Sequence, residues 1–122
     1  MPFPQSSSLR RAPRVKFGDP LLATVLLQDG KSAKGRIQSV SVTGGLLRLA
    51  QALSKGDFVE VAFQTQTGRV QGLAEMLNPV RRLSDETLQP FRFVALADND
   101  HRTLRMMVDA ASDRNFLAPI RS

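Results

Sequence analysis

The chain has 122 residues, 42% of them hydrophobic, which suits one domain with its own apolar core. Cysteine is absent, so disulfides, thiolate catalysis and thiolate-held zinc are excluded. The formal net charge of +6 favours phosphate-bearing partners. No stretch reaches the roughly 18 consecutive apolar residues of a membrane span, and the N-terminus lacks a leader pattern, so a cytoplasmic protein is expected.

Residues Met1 to Ser8 combine prolines, serines and a glutamine with little apolar content, which predicts a disordered N-terminus over residues 1–8. A basic arm follows. Arg10, Arg11, Arg14 and Lys16 all precede Asp19, the first acidic residue, and Pro13 favours an extended backbone rather than a helix. The arm can therefore lie along a surface, with its arginines reaching different parts of one ligand.

Leu21 to Gln28 is an apolar run of strand length that ends at the hairpin signal Asp29-Gly30. A second strand is expected over Ala33 to Val42. Alternation near its end sets Ser39, Ser41 and Thr43 on one face and Val40 and Val42 on the other, before Gly44-Gly45 turns the chain. Hydroxyls beside a bare glycine amide suit a phosphate or a base edge, although the same residues also make an ordinary hairpin corner. Short strands are expected at Leu46 to Leu49, Phe58 to Phe63, Arg69 to Leu77 and Phe91 to Ala97, with Asn78-Pro79 interrupting the fifth. Val80 to Thr87, with Arg81 and Arg82, reads as a polar connection. Beyond Asp98-Asn99-Asp100, which can cap a helix start, Leu104, Met107, Val108 and Ala111 recur at helical spacing. Met106 and Met107 are expected in or near the core. No pattern emerges after Ser112, so the chain divides into residues 1–8, a single domain over 9–112 and a tail over 113–122.

Two features gain meaning together. Arg10-x-x-x-Arg14 precedes a strand pair, and Ser39-x-Ser41-x-x-Gly44 closes it, with more strands and one helix to follow. This arrangement resembles the PilZ domain, a family of small β-barrels that bind cyclic di-GMP in bacterial second-messenger signalling. The resemblance covers about Leu9 to Ala111. It implies a mainly β fold, a six-stranded antiparallel barrel with a C-terminal helix and a flexible basic N-terminal arm. It also implies that Arg10 and Arg14 grip phosphate oxygens or the O6 and N7 atoms of guanine, a task that suits the arginine fork. Ser41 would bond phosphate or base, and Gly44 would allow close approach. Arg11 lies outside the matched positions and is assigned an electrostatic or stacking role.

Ser39 departs from the pattern, since the family has Asp or Asn there. A hydroxyl offers less acceptor capacity to the guanine N–H groups, and losing such a contact costs about 1 to 3 kcal/mol, or about one to two decades of affinity. The leading expectation is a cyclic di-GMP receptor that orders its arm on binding and signals to a downstream protein. The alternatives are an adaptor of the same fold that has lost the nucleotide, and a basic barrel for single-stranded nucleic acid. The last is disfavoured by the absence of tryptophan and tyrosine for base stacking. His101 is the only histidine, and the acidic residues show neither metal-ligand spacing nor a paired-carboxylate pattern. No enzyme, metal or cofactor is expected.

Overall fold

In the computed structural model, residues 14–121 are described, those from 112 onward by their backbone alone. The strands are β1 (Val15–Leu26), β2 (Ser32–Ser41), β3 (Gly44–Leu49), β4 (Phe58–Thr65), β5 (Gly68–Met76), β6 (Arg81–Arg82) and β7 (Thr87–Leu96), followed by helix α1 (Asp98–Arg121). The order β3-β2-β1-β4-β5-β7 is closed by pairing of β3 with β7, and all pairs are antiparallel. The result is the expected six-stranded barrel with one C-terminal helix. Closure removes free sheet edges, which lets every strand bury one face.

Cross-strand rows explain the core. Val15, Val40, Gly45, Phe91 and Met76 follow one another in register across β1, β2, β3, β7 and β5, and all face inward. Each aliphatic side chain so buried contributes about 1.5 to 3 kcal/mol. Leu104, Met107, Val108 and Ala111 of α1 join that core, while Met106 on the opposite side is exposed. The paired expectation for Met106 and Met107 thus divides, because adjacent helical residues point in different directions.

Several boundaries moved. β1 starts at Val15, six residues earlier than the apolar run suggested, because Val15 and Lys16 pair with Val40 and Ser39 before residues 17–20 leave the ladder. The counterpart in β2 is Gln38, a single-residue bulge against β3. That extra residue puts Ile37 and Val40 into the core together, though they are three positions apart. A second bulge at Val94 resets β7, so Leu96 packs on the core and Ala95 is exposed, the reverse of simple alternation.

β7 also begins before Phe91. Gln89 is fully buried, and its amide accepts from the Leu53 N–H at 2.8 Å and donates to the carbonyls of Leu53 and Leu77 at 2.7 and 2.9 Å. All of these partners lie in connections, so this one polar side chain pins two loops to the barrel wall. Arg81 and Arg82, expected in a loop, pair with Leu88 and Thr87. At the helix start, Asp100 accepts from the Gln71 amide at 3.0 Å, just where the ladder between β5 and β7 stops at Gly72 and Leu96. It therefore caps a strand amide, while His101 N–H donates to Ala97 O to begin the helix.

Candidate functional site

The last pair of the β1 and β2 ladder joins Val15 to Val40. Arg14 precedes Val15 and Ser41 follows Val40, so the two come level at the end of the ladder. Ser41 pairs with Gly44, Gly44 with Arg92, and Arg92 with Glu75. Because paired residues share a face, this row runs along the outside of the barrel, one step from the inward row that contains Val40, Gly45 and Phe91. The structure thus brings together Arg14, Ser41 and Gly44 of the expected site. Ser39 lies one row away, paired with Lys16 and Leu46 on the same outer face. Arg10 and Arg11 lie outside the described residues.

Both serines are shielded from solvent. Ser39 is 3% exposed and Ser41 2%. Ser41 Oγ accepts from the Thr43 amide at 3.2 Å, shares a proton with Thr43 Oγ1 at 3.0 Å, and lies 3.4 Å from the Gly44 carbonyl. These are bonds that close a two-residue turn of Val42 and Thr43. Gly44 is also needed by the fold itself. A Cβ there would stand 2.2 Å from the Phe91 carbonyl oxygen and 2.9 Å from the Arg92 Cα, so the missing side chain admits strand β7. Motif spacing could not separate that requirement from room for a ligand.

Arg14 is exposed, and Arg92 extends into solvent with 61% of its side chain accessible while its guanidinium is hydrogen-bonded to Glu75. Neither Arg92 nor Glu75 was singled out from the sequence, since each lies in a strand far along the chain. Arg81 is also outside the row. It aligns instead with Leu88, Arg48 and Arg36, about 13 Å further along the barrel at ~3.3 Å per residue. There Glu86 lies 3.5 Å from Arg36 and 3.6 Å from Arg48. Among the described residues no cluster of histidine, cysteine and carboxylate side chains could hold a metal, and no helix is long and apolar enough to cross a membrane.

The fold is thus a closed six-stranded barrel with an arginine just before β1 and a Ser-x-Ser-x-x-Gly sequence where β2 turns into β3. The family model of the PilZ domain matches residues 8–110, and the chain belongs to that family. Among solved structures, the PilZ domain with cyclic di-GMP of YcgR from Escherichia coli is similar at 19% identity with a TM-score of 0.70, over 93% of this chain and 98% of that one. The complex of YcgR with cyclic di-GMP, also from Escherichia coli, gives 19% identity and a TM-score of 0.75, over 93% of this chain and 50% of that one. MrkH of K. pneumonia in its apo state gives 15% and 0.71, over 93% and 55%. At these identities the likeness is one of fold, and the chain spans about half the length of the longer two. No curated protein matches the chain.

Proposed function

We infer that this domain is a receptor for cyclic di-GMP, gripped by Arg10 and Arg14 and seated over Ser39, Ser41 and Gly44. The observation that carries the reading is the outer row that sets Arg14 level with Ser41 and Gly44 at one end of the barrel. Membership of the PilZ family and neighbours solved with cyclic di-GMP support the choice of ligand. An arginine fork beside a phosphate gives charge-assisted bonds stronger than neutral ones, so the arginines carry the affinity and the strand end carries the orientation. Binding draws the segment that carries Arg10 onto the barrel, and the altered surface is what a downstream protein reads. The protein acts by binding, in the cytoplasm, and not by catalysis.

Titration calorimetry with cyclic di-GMP, alongside GTP and cyclic AMP, tests this directly. Saturable heat at micromolar or tighter levels, weakened about 10- to 100-fold in Arg14→Ala, is the expected result, and silence of the parent at high concentration refutes a receptor. Limited proteolysis upstream of Arg14 checks the arm, which should be cut more slowly at saturating ligand. The second reading, an adaptor that no longer uses the nucleotide, is favoured by Ser39 in place of Asp or Asn and by the turn bonds that occupy Ser41. Ser39→Asp separates the two: gained binding from a silent parent identifies a disabled site.

A further inference from the structure

We propose that Arg92 is a third cation of the cyclic di-GMP site, restrained by Glu75 in the free protein and released to the ligand on binding. The inference rests on the receptor reading above and adds the far wall of its site. Arg92 follows Gly44 in the outer row, and Arg14 lies at the other end of the same row. From β1 through β2 and β3 to β7 is three inter-strand steps, about 14 Å at ~4.8 Å each. Two arginines so placed flank Ser41 and Gly44 from opposite sides, a span that suits a ligand with two phosphates and two guanines.

The position is rigid where it must be. Phe93 N–H donates to Thr43 O at 2.9 Å, and Gly44 lets the Arg92 Cα come close, so the root of the side chain is fixed to the corner that carries Ser41. The side chain reaches the surface, 61% exposed, with Glu75 as its ion-pair partner. Exposed pairs of this kind are weak and are readily exchanged for a better anion. A phosphate or the O6 and N7 edge of guanine accepts the same fork, and Glu75 then faces solvent. A guanidinium on β7 also compensates in part for the acceptor that Ser39 does not provide, by adding a contact elsewhere on the base or phosphate.

The test is titration of cyclic di-GMP into the parent protein, Arg92→Ala, Arg92→Lys, Glu75→Gln and Arg69→Ala, each with a thermal melt. Arg92→Ala should weaken binding about 10- to 100-fold, and Arg92→Lys should recover only part of it, since an ammonium lacks the fork. Glu75→Gln should tighten binding a few-fold, a gain that a purely structural ion pair does not give. Arg69→Ala removes an equal charge elsewhere and should leave affinity unchanged. Parent-like affinity in Arg92→Ala, weaker binding in Glu75→Gln, or equal losses in Arg92→Ala and Arg69→Ala would each overturn the proposal while leaving the receptor reading intact. No binding by the parent would overturn both.

Discussion

Two corners of the barrel are built from nearly the same four residues. Ser41-Val42-Thr43-Gly44 joins β2 to β3, and Thr65-Gln66-Thr67-Gly68 joins β4 to β5. In both, the first hydroxyl accepts from the amide two residues on and meets the second hydroxyl at 3.0 Å. At the second corner the bonding is tighter. Thr65 Oγ1 donates to Gly68 O at 2.7 Å and accepts also from Gly68 N at 3.1 Å, whereas Ser41 Oγ stands 3.4 Å from Gly44 O. The helix then covers that corner, with Thr67 Oγ1 donating to Thr103 O at 2.9 Å.

The comparison separates turn chemistry from site chemistry. A hydroxyl, a second hydroxyl and a glycine are what a two-residue turn needs when its central residues keep negative φ, as all described non-glycine residues do. Their presence at both corners means that Ser41 and Gly44 alone do not mark a ligand site. What distinguishes the first corner is its charged surroundings: Arg14 and Arg92 lie in its row and Ser41 Oγ stands 3.4 Å from Gly44 O, while the second corner is bonded to α1 through Thr67.

The two corners should differ most at their glycines. Gly44→Ala should cost about 3 kcal/mol or more by urea denaturation, because the new methyl meets the backbone of β7. Gly68→Ala should cost about 1 to 2 kcal/mol, from its φ of 139° and a 3.3 Å approach to the Thr103 methyl, which can yield. Equal losses would mean that the first glycine is not held by β7. Next in size, Arg14→Ala should lower cyclic di-GMP affinity about 10- to 100-fold with an unaltered melting temperature. A fall in melting temperature alone would make Arg14 a fold residue.

Smaller effects sharpen the contrast. Thr65→Ala strips an acceptor from two amides and a short bond from Gly68, so about 2 kcal/mol of stability should go; Ser41→Ala should lose about 1 kcal/mol. Only Ser41→Ala should also change nucleotide affinity, so matched calorimetry on the two variants compares the corners directly. Smallest is Thr67→Ala, which removes the bond to Thr103 and should cost about 0.5 to 1 kcal/mol. Hydrogen exchange at the start of α1 should rise in that variant, and unchanged protection would show that apolar packing alone seats the helix.

Much of the barrel was legible because strand length, turn residues and the change to helical spacing are local properties. Phe58 to Phe63 and Leu104 to Ala111 needed no knowledge of their neighbours. Gln89 was missed because a glutamine beside a proline carries no strand signal, and its value lies in the carbonyls of Leu53 and Leu77. Simple alternation from Phe91 places Ala95 inward and Leu96 outward, but a bulge at Val94 reverses the two, and a bulge is a property of two strands.

The order of the six barrel strands, the helix and the basic character of the segment before β1 were legible in local sequence, while the two-residue β6 was not. Each legible element follows from residues within a few positions of one another. Packing and register, in contrast, cover Ser39 and Ser41, leave at Gly44 the room that β7 needs, and set Arg92 and Glu75 in the row of Arg14. Register across a closed barrel joins residues dozens of positions apart. It is fixed by the bulges at Gln38 and Val94 and by the core that every strand must share, and no local pattern encodes that sum.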